Sequence, residues 1–501
     1  MPGMHVETLT GPVRGTAEGC PVLSWKSIPY AAPPTGELRF RPPAPVKPWT
    51  AVRDAARYGP QAVQFTPASR ASGQDVEGEE DCLTLNVWAP AEPAAPRPVL
   101  FWIHGGAFLH GSGSLYDGAW LSEVCDAVVV TVNYRLGPLG FMDLGHVAMA
   151  DTANPALRDL VAALEWVRGN IASFGGDAGR VTLSGQSAGG MLTTTLLAVP
   201  AARGLFHQAL VLSGAARNVH TPDQNAEVVD RLLTALDTTV DQLADVPVRA
   251  LRDAAAHVVA TAGDEVLRGD GFCPVVDGAV LPRAPLAAVS SGAARHLPVW
   301  ISHVSHEMDI FLGPPPAPVL AGTDAAGRAT LGEKTWATLS HAYATVAEAD
   351  RDPRLDLLDD TMWLIPAIRL AEAQHAAGGQ VWFSRFDHVP GLPPYDRLGA
   401  THGADNRCLW AHPPAFNNLA GLPPAPPMGP ADLAVAARLH RAVRAFLHTG
   451  APGGLPDGLD WPRYEPRDRA TVILDDRPRI VYDPRRERRL LWAGLPGGTA
   501  P

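Results

Sequence analysis

"GRVTLSGQSAGGMLTTTLL" (Gly179–Leu197) runs an apolar, β-branched segment into a serine flanked by glycines, then into an apolar run of helical character. Strand, Gly-x-Ser-x-Gly and helix in that order give Ser187 the setting of a nucleophile. Gly185 and Gly189 leave room for a sharp turn that exposes the side chain at the top of a sheet. The helix beginning near Ala188 aims its N-terminal partial positive charge at the same place. A serine hydroxyl alone is a weak nucleophile. It needs a base, an acid to orient that base, and donors for the oxyanion formed on carbonyl attack.

Outward from this motif, short apolar runs alternate with helical patterns over the first 215 residues, which predicts a mostly parallel sheet with crossover helices. Pro98–Ile103, Ala127–Asn133, Arg180–Ser184 and Ala209–Ser213 read as strands, and Leu297–Ser302 and Val381–Phe386 extend the sheet. Their continuous apolarity fits strands covered on both faces. Leu157, Leu160, Val161, Leu164 and Val167 recur at helical spacing and should pack on that sheet. Helical segments around 223–268 and 313–375 read as cap-like insertions. The Pro-rich stretches Gly313–Gly322 and Gly421–Pro430 suit rim loops, or linkers between independent domains.

Bulk properties narrow the function classes. With 41 Lys+Arg against 52 Asp+Glu, the net charge of −11 gives no footing for nucleic-acid binding. The basic run Arg485–Leu490 reads as a solvated surface. No apolar run is long enough for a membrane span, and the N-terminus lacks a signal-peptide pattern. The five cysteines are scattered, with no metal-type spacing, so a reduced cytoplasmic chain is expected; secretion stays open.

"FWIHGGAF" (Phe101–Phe108) is a strand entering a Gly-rich turn of the kind that supplies oxyanion donors. His104, at the end of a buried strand, reads as a structural histidine holding that loop. Together with "FGGDAGRVTLSGQSAGG" (Phe174–Gly190), "EDCLTLNVW" (Glu80–Trp88), "NYRLGPLGF" (Asn133–Phe141) and "FCPVVDG" (Phe272–Gly278), the chain resembles the type-B carboxylesterase family, which includes the cholinesterases. The bacterial para-nitrobenzyl-esterase branch looks most similar, and the resemblance spans nearly the whole chain.

The resemblance implies one α/β-hydrolase domain over residues 1–501 and a serine esterase acting through an acyl-enzyme without metal or cofactor. It places Ser187 as nucleophile, Glu307 as acid and His402 as base, with the N–H groups of Gly106, Ala107 and Ala188 as oxyanion donors. On the residues alone, Asp309 rivals Glu307, because i and i+2 on an extended strand end point the same way. Arg41 and Glu80 match a buried ion pair of the family. Gln186, Phe108 and Phe272 are assigned to the substrate pocket. Where the family often has Glu, Gln186 supplies no charge. The stretch Gln64–Asp81 also lacks the Trp that holds quaternary ammonium in cholinesterases. Small to medium uncharged esters are therefore the expected substrates, with a carbamate, lactone or natural-product ester as the specialised alternative. A non-catalytic binding module is the alternative of a different class. A monomer or small homo-oligomer is expected.

Overall fold

The computed structural model describes residues 4–495, apart from 19–20, 66–77, 93, 148, 263–270, 313–323, 325–326, 329, 349–350, 392, 394, 412–426, 455–457, 459 and 494. A small sheet at the N-terminus joins β1 (His5–Thr8), β2 (Gly11–Arg14) and β5 (Arg53–Asp54). The main sheet has eleven strands: β3 (Thr16–Ala17), β4 (Val22–Pro29), β6 (Thr84–Pro90), β7 (Arg97–Ile103), β8 (Val128–Val132), β9 (Gly176–Gln186), β10 (Gln208–Leu212), β11 (Val299–Val304), β12 (Val381–Phe386), β13 (Ala470–Leu474) and β14 (Arg479–Tyr482). Their spatial order is β14-β13-β12-β11-β10-β9-β7-β8-β6-β4-β3. From β8 through β13 every pairing is parallel, and both ends of the sheet finish in antiparallel strands. This is the α/β-hydrolase architecture expected from the sequence, and each of the six predicted strand runs lies in the one sheet.

Continuous apolarity in these strands has its cause in two cores. Along β7, Val99, Phe101 and Ile103 face one cluster, while Leu100 and Trp102 face the other. The same alternation runs through β10 to β12, as side chains on successive residues point to opposite faces. The helix Pro155–Asn170 covers one face with the predicted Leu157, Leu160, Val161, Leu164 and Val167, all buried. The helix Pro430–Thr449 covers the other with Val435, Leu439, Val443 and Phe446.

Over 222–262 and 333–376 the described residues form the helices Pro222–Leu236, Val248–Ala262, Glu333–Val346, Pro353–Asp359 and Ile365–Ala376. Thr221 starts the first of these with a capping box, its hydroxyl accepting from Gln224 N–H and the Gln224 side chain returning to Thr221 N–H. Residues 313–322 and most of 421–430 lie outside the described residues. Among the described residues, no helix is long and apolar enough to cross a membrane. Cys82, Cys125, Cys273 and Cys408 are buried and stand outside any disulfide among the described residues.

Two expectations about charge need correction. Glu80 pairs with Arg39, at 2.5 and 2.6 Å, whereas Arg41 reaches the Ala150 carbonyl at the surface. Phe40 between them has φ 62°, which turns the chain so that Arg39 points inward and Arg41 outward. Arg39 also donates to Ala244 O and Val246 O, tying this ion pair to the helical insertion. The basic run near the C-terminus is likewise not merely a solvated surface. Arg488 is 3% exposed and grips Asp360 at 2.5 and 2.8 Å, with Asp356 at 3.1 Å. Those carboxylates sit well over a hundred residues upstream, so no local pattern announces them.

Candidate active site

At the junction of β9 and the helix Ala188–Leu196, Ser187 takes φ 60° and ψ −129°, a strained turn of order 1–3 kcal/mol that its surroundings must hold. Ser187 N–H donates to Leu212 O at 3.0 Å, hooking the turn to the end of β10. The flanking glycines serve close approach rather than a special dihedral. A Cβ on Gly189 would lie 2.0 Å from Ile103 O, and one on Gly185 would lie 2.5 Å from the backbone of Gly189. The turn is therefore wedged against the end of β7, where the Gly-rich loop begins.

In that loop Gly106 has φ 123°, Ala107 φ 53° and Phe108 φ 64°. Three successive residues in this half of the map turn the backbone sharply just beyond β7. His104 behaves as a brace. Its ring stacks on Tyr134 with centroids 4.4 Å apart, the Tyr134 hydroxyl donates to His104 O at 2.8 Å, and burial pushes its pKa down to about 4. Gln64 closes the far end of the loop by accepting from Gly111 N–H at 2.7 Å and donating to Gly111 O at 3.1 Å.

Glu307 and His402 come from loops after β11 and β12. The loops are stitched by His306 N–H to Ala400 O (3.0 Å) and Ile310 N–H to Thr401 Oγ1 (2.9 Å). This brings His402 Nδ1 to 2.5 Å from Glu307 Oε2, while Glu307 Oε1 accepts from Val304 N–H at 3.0 Å. With a carboxylate as acceptor, Nδ1 carries the proton and Nε2 presents a lone pair. Asp309 lies elsewhere, its carboxylate bound to Arg351. His388, after β12 as well, pairs instead with Asp432 at 2.7 Å.

The Nε2 lone pair of His402 meets Gln186 Nε2 at 3.0 Å, and Gln186 Oε1 accepts from Asn406 Nδ2 at 3.1 Å. Gln186 is wholly buried, so it faces His402 and not open solvent. Phe272 and Phe108 are also buried, the latter packed edge-on against Phe141 at 5.1 Å. Asp405, next to Asn406, is a buried carboxyl. Burial and then the charge of Glu307 push its pKa up to about 7, with His402 opposing. Trp363 and Phe311 cover the His402 ring, at centroid distances of 4.5 and 5.1 Å. Asn406, Asp405, Trp363 and Phe311 were not singled out from the sequence. Only Asp405 carried a hint there, as the acidic residue following His402-Gly403. Among the described residues no group of three His, Cys, Asp or Glu is placed to hold a metal ion.

A strained serine at a strand–helix turn beside a Gly-rich loop, with a His–Glu pair bonded to the adjacent Gln186, is an arrangement a serine hydrolase can use. The chain belongs to the carboxylesterase family, whose model matches residues 2–492. It is 37% identical over 496 residues to the para-nitrobenzyl esterase of Bacillus subtilis (strain 168), covering 97% of both chains. To the fumonisin B1 esterase of Sphingopyxis macrogoltabida it is 32% identical, covering 93% of this chain and 85% of that one. A solved thermophilic para-nitrobenzyl esterase superposes with a TM-score of 0.86 at 35% identity, covering 97% of this chain and 99% of the other. The protein is a serine carboxylic-ester hydrolase.

Proposed function

We propose that Ser187, His402 and Glu307 form the catalytic triad, acting on small to medium uncharged esters. The observation that carries the assignment is the His402–Glu307 contact at 2.5 Å, which leaves Nε2 as the basic atom. Ser187 Oγ attacks the ester carbonyl as Nε2 takes its proton, and Glu307 fixes the ring and balances its charge. The Gln186 amide that meets Nε2 in the resting site gives way as the imidazole accepts that proton, since two donors cannot face one another. The N–H groups of Gly106, Ala107 and Ala188 receive the oxyanion. The alcohol leaves with the proton from His402, and water repeats the sequence on the acyl-enzyme.

An uncharged substrate follows from the neutral amide at position 186, where a carboxylate would add negative potential beside the base. A specialised natural-product ester is the second reading, favoured by the similarity to the fumonisin B1 esterase. The same reading takes residues 1–501 as one cytoplasmic unit, a monomer or small homo-oligomer.

Hydrolysis of para-nitrophenyl esters of increasing acyl length, with Ser187→Ala alongside, tests the mechanism. The variant should lose essentially all turnover and all labelling by an organophosphate. Retained turnover would overturn the assignment of Ser187.

A further inference from the structure

The helix that begins at Pro353 does not run on regularly to Ala376. Residues Asp360–Leu364 form a π-helical turn between two α-helical segments. Such single turns insert an extra residue and re-aim the side chains that follow, and they cluster at functional sites. Here the turn carries Trp363, whose indole lies over the His402 imidazole with centroids 4.5 Å apart and planes inclined at 38°. Its Nε1–H is buried and has no acceptor among the described residues.

The turn is fastened from beneath. Asp360 takes Arg488 at 2.5 and 2.8 Å and the Tyr343 hydroxyl at 2.5 Å. Thr361 Oγ1 donates to Leu357 O at 2.6 Å. Asp359, one residue before the turn, accepts Met308 N–H at 2.8 Å, so the same segment also grips the loop bearing Glu307. Arg351 binds Asp359 at 2.6 Å and also Asp309 and Asp356.

We propose that Trp363 is a positioning residue for the base: the π-turn presents its ring face to His402, confines the imidazole to the plane that meets Glu307, and favours the positive charge the ring acquires during attack. This rests on the reading of His402 as the base. An aromatic face attracts a cation most strongly where water is excluded, and Trp363 is buried. The charged groups facing His402 are Glu307, from the loop after β11, and Asp405, from the helix Ala404–Trp410 that follows His402. Phe311, from the helix after Glu307, and the Gln186 amide present uncharged surfaces. The face supplied by Trp363 can thus be removed without changing any charge.

The test compares Trp363→Leu with Trp363→Phe on a para-nitrophenyl ester across pH, with Ser187→Ala as the control. Trp363→Leu should lose about ten-fold in kcat with little change in KM, as expected for an interaction strengthened only when the ring is charged. The acid limb of its kcat/KM profile should move to lower pH, because the charged ring has lost a favourable neighbour. Trp363→Phe keeps an aromatic face, so it should recover most of the activity even though the smaller ring leaves a cavity that lowers the melting temperature. The inference is overturned if Trp363→Leu keeps its kcat and acid limb, or if its loss lies in KM alone. It is equally overturned if a folded Trp363→Phe is as impaired as Trp363→Leu. Activity retained by Ser187→Ala would instead overturn the underlying mechanism, so the two failures are distinguishable.

Discussion

Replacing Asp405 by Asn should stabilise the protein, and more so at high pH. The carboxyl is buried, Oδ1 accepts Asn406 N–H at 2.9 Å, and Oδ2 has no partner among the described residues. Burial lifts its pKa from 3.8 to about 7. The unfolded chain releases this proton near pH 4 while the folded one keeps it to about 7, so the folded state binds more protons throughout that window. Stability is therefore full below about pH 4 and falls as the pH rises to about 7. A shift of about three units at 1.36 kcal/mol each amounts to about 4 kcal/mol lost by pH 8, and about 1–2 kcal/mol by pH 5. Asparagine keeps the acceptor for Asn406 N–H and carries no charge to desolvate. With an unfolding entropy of about 2.1 cal/mol/K per residue, a chain of this length moves its Tm by ~1 °C per kcal/mol. Calorimetry should therefore show Asp405→Asn melting about 4 °C above the parent at pH 8, and about 1–2 °C above it at pH 5. An equal increment at both pH values, or none at pH 8, would refute the argument that an uncompensated buried charge is present.

The Glu307→Gln variant should fall about 10³–10⁴-fold in kcat, the scale seen when a triad acid loses its charge. Asp309→Asn should stay within about ten-fold of the parent, because Arg351 keeps Asp356 and Asp359; the reverse ranking in a steady-state assay would move the acid to Asp309. Gly189→Ala drives a Cβ to 2.0 Å from Ile103 O, so the backbone must shift. It should cost about 1–3 kcal/mol or more in denaturant unfolding and abolish esterase activity. Arg39→Met leaves Glu80 without its partner and should destabilise by about 2 kcal/mol or more. Arg41→Met should stay within about 0.5 kcal/mol, and equal effects in parallel melts would restore Arg41 as the brace.

What the sequence disclosed and what it hid divide along physical lines. Strands such as Pro98–Ile103 were legible because a strand buried on both faces must be apolar at every position. The turn around Ser187 was legible because close backbone approach admits only glycine, and that demand is local. Arg39 and Arg41 are separated by a single residue, and the choice between them was made by the positive φ of Phe40, which no composition rule signals. The burial of Arg488 depends on Asp356 and Asp360, and the contact of Gln186 with His402 spans over two hundred residues. A π-turn has no compositional mark at all. Trp363 therefore passes unmarked in the sequence, and only the fold shows its π-turn setting the ring against His402.

The clamp at Arg488 also sets an order of events. A nascent chain emerging from the ribosome presents Ser187, Glu307, Trp363 and His402 before Arg488 exists. Until that arginine arrives, Asp360 is held by the Tyr343 hydroxyl and Asp356 by Arg351, and the guanidinium that bridges the two is missing from the turn beneath Trp363. Full fastening of the π-turn thus waits until Arg488 has been made. A chain cut before Arg488 would carry Ser187, Glu307, Trp363 and His402 and still lack the arginine that clamps Asp360 and Asp356 beneath the turn.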